Sequence, residues 1–198
     1  MSERAKMLAG QLYRPDDDAL LGDQRRAQAI LQELAALPVQ SGEDWEEMLE
    51  SLFGGVGYDT VIRFPFRCRY GKNIRAGDRL FVDYDCIFID AAVIEIGDDV
   101  KFGPAVQIHT AGLPFDAEQR RAGLEYARPV RIGNNVWVGG GAILLPGINI
   151  GESAIVGAGS VVTGNVPPGD VVIGNPARSL RRAGGTEPPP VPPGPAQS

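Results

Sequence analysis

Residues 132–163 read IGNNVW VGGGAI LLPGIN IGESAI VGAGSV VT, and divided into sixes they place an aliphatic side chain first in every block. The series is Ile132, Val138, Leu144, Ile150, Val156 and Val162, with glycine immediately after it at Gly133, Gly139, Gly151 and Gly157. The position four beyond each start holds Val136, Ala142, Ile148, Ala154, Ser160 and Val166, all small or aliphatic. No α-helix has a six-residue apolar period, and an ordinary strand alternates every two residues without a fixed glycine. A hexapeptide solenoid does both. Each short strand sends one side chain into a narrow interior, glycine and small residues permit the tight corner, and three such faces close one coil. The expected fold is mainly β, a left-handed parallel β-helix. Upstream the same period links Ile62, Cys68, Ile74, Leu80 and Cys86, and after a phase break it resumes at Ile96, Phe102 and Ile108.

The flanks carry other patterns. Residues 1–55 lack the repeat but show apolar residues at helical spacing, Ala27, Ile30, Leu31, Leu34 and Leu37, then Trp45, Met48, Leu49 and Leu52. Two or three helices capping the solenoid are expected, since stacked coils need covers at their ends. Pro38 separates two of them, and Ser41 or Asp44 can start the later one. The solenoid is expected over 56–182, interrupted at 110–129 by a polar stretch with Pro114, Asp116, Glu118, Arg120, Arg121 and Glu125, a loop thrown out from the coil. Long loops in compact domains are often functional, so this one is the first place to look for chemistry. Residues 183–198 are proline-rich and read as an extended, disordered tail.

Composition excludes several classes. The formal charge of −6 and a pI near 4.9 argue against nucleic-acid backbones, which require a basic surface. No segment reads as a secretion signal or membrane span, and a cytoplasmic location is expected. Cys68 and Cys86 lie on apolar repeat positions and read as buried, reduced thiols. His109 is the one histidine of the chain.

Beyond the bare repeat, the chain resembles the maltose and galactoside O-acetyltransferases of the hexapeptide-repeat superfamily. The likeness runs from Met7-Leu8-Ala9-Gly10 and Leu12-Tyr13, through Pro65-Phe66-Arg67-Cys68, Tyr70-Gly71 and Phe102-Gly103-Pro104, to Gly157-Ala158-Gly159-Ser160-Val161-Val162-Thr163 and Gly174-Asn175-Pro176-Ala177-Arg178. It covers roughly residues 7 to 182. The resemblance implies transfer of an acetyl group from acetyl-coenzyme A (acetyl-CoA) to a hydroxyl of a sugar or other small acceptor, without a metal. It also implies a homotrimer with active sites between neighbouring solenoids. Such chemistry needs a base for the hydroxyl proton and donors where the oxyanion forms. On the donor side the resemblance places Gly140 and Ala158 along the pantetheine arm, Thr163 nearby, and Arg178 and Arg181 at the phosphates, where arginine forks suit the oxygens. Gly164 stands where relatives carry a lysine, and Arg182 can partly replace it.

The acceptor side departs from the family pattern. The family's catalytic histidine, just before a proline, corresponds to Leu113, which cannot accept a proton. His109, four residues earlier and one step past Ile108, is a candidate replacement; the competing reading is an outward histidine packed against a neighbouring chain. The family's asparagine corresponds to Asp83, its serine or aspartate to Arg69, and a later aspartate to Ala91. In Phe81-Val82-Asp83-Tyr84-Asp85 two carboxylates alternate along an expected strand, as a second candidate base or as solvated groups paired with Arg69. Candidate acceptor-binding residues are thus Arg69, Asp83, Asp85 and Leu113, with His109 and Asp83 the candidate catalytic groups. Trp137, with its ring on the outer face, suits a covered interface between chains. A β-helix carbonic anhydrase, with three histidines on zinc, is excluded by the single histidine. A catalytically impaired trimer that binds coenzyme A or a partner remains open, favoured by Leu113, Asp83, Ala91 and Gly164.

Overall fold

The computed structural model describes residues 1–37 and 42–180. The predicted tail and Arg181 and Arg182 lie outside those residues, as does Ser41. Three parallel sheets form the sides of a β-solenoid. The first face stacks Val61–Ile62, Phe81–Val82, Lys101–Phe102, Trp137–Val138, Ile155–Val156 and Val171–Ile173. The second stacks Phe66–Cys68, Cys86–Ile89, Gln107–His109, Ile143–Leu144 and Val161–Val162, and the third Ile74–Ala76, Ile94–Ile96, Val130–Ile132 and Asn149–Ile150. The chain visits the faces in that order, and Arg178–Ser179 returns antiparallel on Val171–Ile173.

Strand register explains the phase break. Ala76, Ile96, Ile132 and Ile150 align in one column, Val82, Phe102, Val138 and Val156 in the next, and Phe88, Ile108, Leu144 and Val162 in the third. The six-residue step holds within each coil and lengthens to eight from Cys68 to Ala76 and from Phe88 to Ile96, where the chain turns from the second face to the third. Ile74, Leu80 and Cys86 are therefore two residues out of the column the sequence reading assigned to them. They are buried nonetheless, because they hold the inward corner position that Ile94, Val100 and Val106 fill one coil later. Both cysteines are buried free thiols.

The cap consists of α1 (Glu3–Leu8), α2 (Asp18–Ala36) and α3 (Glu43–Leu52). Asp17 starts α2 by accepting the N–H groups of Ala19 and Leu20, and Leu20, Ala27, Leu31 and Leu34 form its buried stripe. Leu37 is extended, as the residue before a proline prefers, and the helix ends there. The cap of α3 is Gly42, at φ 96°, rather than Ser41 or Asp44; three acidic residues in its first turn suit the positive end of the helix. Its buried Trp45, Leu49 and Leu52 cover the first coil, and an aromatic file continues into the solenoid: Trp45, Phe64, Phe66, Phe88 and Phe102 meet edge to face at 5.2–6.5 Å. Between His109 and Val130 the chain leaves the coil as a hairpin, Ala111–Gly112 against Tyr126–Ala127, enclosing α4 (Ala117–Arg121). Among the described residues no helix is long and apolar enough to cross a membrane.

Candidate functional site

The candidate residues fall on the two edges of the second face. At the edge where the first face turns into the second, successive coils stack Asp83 with Gly103, Gly139 and Gly157, and then Tyr84 with Pro104, Gly140 and Ala158. The coils approach so closely here that a side chain does not fit: a Cβ on Gly139 would lie 2.5 Å from the Ala158 nitrogen, and one on Gly103 2.6 Å from that of Gly140. The result is a strip of bare backbone. Gly140 and Ala158 lie side by side on it, and the Gly159 N–H donates to the Gly140 carbonyl at 2.9 Å. Thr163 and Arg178 line a cavity of about 520 Å³ at the last coil, with Gly164 and Asn165. The Arg178 guanidinium is exposed and donates to the Ala177 carbonyl at 2.8 Å.

Asp83 and Asp85 do not alternate on one strand. The strand ends at Val82, and Asp85 occupies the corner with φ 63°, in line with Ala105, Gly141 and Gly159. Asp83 accepts the Tyr84 N–H at 2.9 Å and pairs with Arg63 at 3.4 Å. Arg69 is not their partner, because it leaves the second face at the opposite edge.

At that opposite edge stand Arg69, Ile89 and His109, successive outward positions of neighbouring coils. His109 is half-buried, its Nε2 3.0 Å from Gln107 Oε1. Burial, and then the Arg69 cation, hold its imidazole below the ordinary histidine range, so it is neutral at pH 7. Arg69 donates to Glu125 of the loop at 2.8 Å rather than offering a free cation. Leu113, 59% exposed, and Phe115, fully exposed, form an apolar loop tip. Within one chain, then, Asp83, Asp85, Gly140 and Ala158 share one edge, while Arg69, His109 and the loop root share the other; the width of the Cys86–Ile89 strand separates them.

Two residues escaped the sequence reading. Glu125 was one polar loop residue among several, and no spacing links it to its partners Arg69 and Tyr13. Asp90 is completely buried, its Oδ1 accepting the N–H groups of Arg69 and Tyr70 at 2.9 and 2.8 Å. The signal that could have found it is a lone carboxylate inside the apolar run Ile87 to Ile94.

Comparison with known proteins fits this geometry. Residues 6–57 match the maltose acetyltransferase hexapeptide capping motif, and 129–164 match six bacterial transferase hexapeptide repeats. Nodulation protein L of Rhizobium meliloti is 49% identical over 89% of this chain and 97% of its own length. A maltose O-acetyltransferase from Clostridium difficile superposes with TM-score 0.84 at 43% identity, covering 90% of this chain and 96% of that one. A hexapeptide-repeat acetyltransferase from Vibrio cholerae, solved with acetyl-CoA, gives TM-score 0.84 at 34% identity over 91% of this chain and 98% of its own. The chain belongs to the maltose and galactoside O-acetyltransferase family.

Family membership sharpens two features of the site. The bare-backbone strip carries its glycines at Gly103, Gly139 and Gly157. The loop differs. Where the resemblance puts a histidine, this family member exposes Leu113, and His109 lies at the loop root beside Gln107.

Proposed function

We propose that the chain is an O-acetyltransferase that moves the acetyl group of acetyl-CoA to a hydroxyl of a small acceptor, in sites formed between neighbouring copies of a homotrimer. The observation that carries this reading is the strip at Gly140 and Ala158, where nothing larger than a methyl group stands on the stacked backbone; a cavity lined by Thr163 and Arg178 lies at the last coil. Stacked backbone suits an extended pantetheine arm, and an exposed arginine beyond it suits phosphate. The Vibrio cholerae relative binds acetyl-CoA, and a galactoside acetyltransferase 31% identical to this chain was solved with coenzyme A. Arg181 is a second proposed phosphate contact from the sequence. Separation of the two candidate edges within one chain supports the assembly: the strip of one copy meets the loop root of the next, and Trp137, 56% exposed here, becomes covered.

In this reading His109 takes the acceptor's proton. With Nε2–H donating to Gln107 Oε1, the free lone pair is on Nδ1, and the neutral imidazole is the form a general base requires. The acceptor oxygen attacks the thioester carbon, the carbonyl oxygen becomes the oxyanion, and the collapse expels coenzyme A thiolate, which regains a proton. Asp83 and Asp85, and Leu113 from the loop, are proposed to line the acceptor's place.

The test is thiol release from acetyl-CoA with a panel of sugar and hydroxyl acceptors. Wild-type turnover is expected, with a loss of about 10²–10⁴-fold in His109→Ala. The acid limb of its pH profile should lie below the ordinary histidine range, because burial and Arg69 disfavour the imidazolium. The exposed Leu113 favours a second reading, a trimer that binds coenzyme A without turnover. Activity absent from the wild type and gained only in Leu113→His selects that reading.

A further inference from the structure

Three distant parts of the chain meet on one oxygen. Glu125 Oε2 accepts the Tyr13 phenol at 2.7 Å and Arg69 Nη1 at 2.8 Å. Tyr13 lies between α1 and α2 of the cap, Arg69 just beyond a first-coil strand, and Glu125 in the returning arm of the loop. The backbone reinforces the contact: Tyr13 N–H donates to the Glu125 carbonyl and Glu125 N–H to that of Tyr13, each at 3.0 Å, an isolated antiparallel bridge that widens the loop's hairpin. Tyr13 is completely buried, and burial followed by the Glu125 carboxylate pushes its phenol far above the ordinary range. It is therefore a permanent donor. Arg69 is itself fixed, since its N–H is held by buried Asp90. A continuous path of hydrogen bonds leads from the solenoid through Arg69 to the loop.

The loop needs such an anchor. Its helix α4 has five residues and buries none of them, and its outer part is tied by Arg120 to the Pro114 carbonyl, a contact internal to the loop. Leu113 and Phe115 project from it with their side chains uncovered. Charge-assisted hydrogen bonds are the strongest of their kind, and two on one carboxylate oxygen restrict it in two directions.

We infer that Tyr13, Arg69 and Glu125 are positioning residues, a clamp that fixes the 110–129 loop against the solenoid so that its Leu113–Phe115 tip meets the acceptor. The role at the acceptor rests on the acetyltransferase reading; the clamping itself does not. The clamp also accounts for Arg69, whose cation it compensates beside His109.

Two measurements test it, on Tyr13→Phe, which removes one hydroxyl without changing shape, and on Glu125→Gln. The first is limited trypsin digestion of the full chain, read at the exposed bonds after Arg120 and Arg121. Loss of a hydrogen bond to a charged group shifts a local opening equilibrium by roughly tenfold or more, so cleavage there should quicken by about that factor, with the thermal midpoint nearly unchanged. Unchanged cleavage in both variants overturns the clamp, as does quickening at every site along with a fallen midpoint, which marks general destabilisation. The second is steady-state kinetics. The acceptor KM should rise while the acetyl-CoA KM stays constant, and Arg69→Lys should recover part of what Arg69→Met loses. An equal rise in both KM values refutes the acceptor-side role. Should no acceptor give turnover, the acetyltransferase reading fails on its own and the digestion still decides the clamp.

Discussion

Asp90 sits where burial and hydrogen bonding pull in opposite directions. Desolvation is the larger effect and pushes its carboxyl up from 3.8 to about 6, against the backbone N–H groups of Tyr70, Arg69 and Asn73, which favour the anion. Between those two values the folded chain holds a proton that the unfolded chain has released, so stability contributed by this group is present at lower pH and is lost as pH rises through about 6. Two pKa units correspond to about 3 kcal/mol. We expect urea unfolding of the wild type to show a downward contribution of up to that size from about pH 4 to pH 6, and Asp90→Asn to lack it; parallel pH profiles for the two proteins would refute the assignment. At this scale the sequence was least informative. His109 was visible as a candidate because it stands one step past a repeat position, and Asp83 and Leu113 because the family resemblance marks their places, but pairing was not: Asp83 meets Arg63, twenty residues back, by coil stacking, and Glu125 meets Tyr13 across 112 residues. Pairings of that kind are decided by the coil register and the loop's return path, which no local spacing encodes.

The elements themselves were largely legible, for a physical reason. A two-residue strand has one inward side chain, and the coil's narrow interior forces that side chain to be apolar, so the period is written directly into the sequence. It became ambiguous where the second face turns into the third. There both the column residue and the corner residue two positions earlier are buried, as with Ile94 and Ile96, and apolarity alone cannot tell which of them starts a repeat. Glycine marks the opposite edge more reliably, because there it is required by distance. Gly139→Ala puts a carbon 2.5 Å from the backbone nitrogen of Ala158, which cannot swing away as a flexible side-chain end can. Overpacking of this kind costs roughly 1–3 kcal/mol. Gly55→Ala, with nothing within 4 Å of the added carbon, serves as the control and should cost much less. Denaturant midpoints of the two variants give the comparison, and an equal effect of both would mean that coil spacing at this edge is not set by the glycine column.

For the whole molecule, a site divided between the two edges of one face makes a prediction about mixtures. If each site joins the bare-backbone edge of one copy to the loop-root edge of the next, a variant defective at one edge can be rescued by a variant defective at the other. Ala158→Trp fills the strip with a large ring at an exposed position, and His109→Ala removes the proposed base; each homotrimer is expected to be inactive. In a mixed trimer one of the three junctions combines the intact strip of a His109→Ala subunit with the intact loop root of an Ala158→Trp subunit. Closed threefold symmetry guarantees a single such junction whether the mixture is two to one or one to two. Random reassembly of equal amounts yields mixed trimers about three times in four, so roughly a quarter of all sites should be intact and turnover should recover to about a quarter of wild type. The two variants are unfolded together, refolded together, and assayed against the same variants refolded apart and then mixed. Recovery only in the co-refolded sample places the two edges on different subunits of one site. Absence of recovery, with mixed trimers demonstrated by mass, would instead confine the site to one chain, and the distance between His109 and the Gly140–Ala158 strip would then require the acceptor itself to bridge the second face.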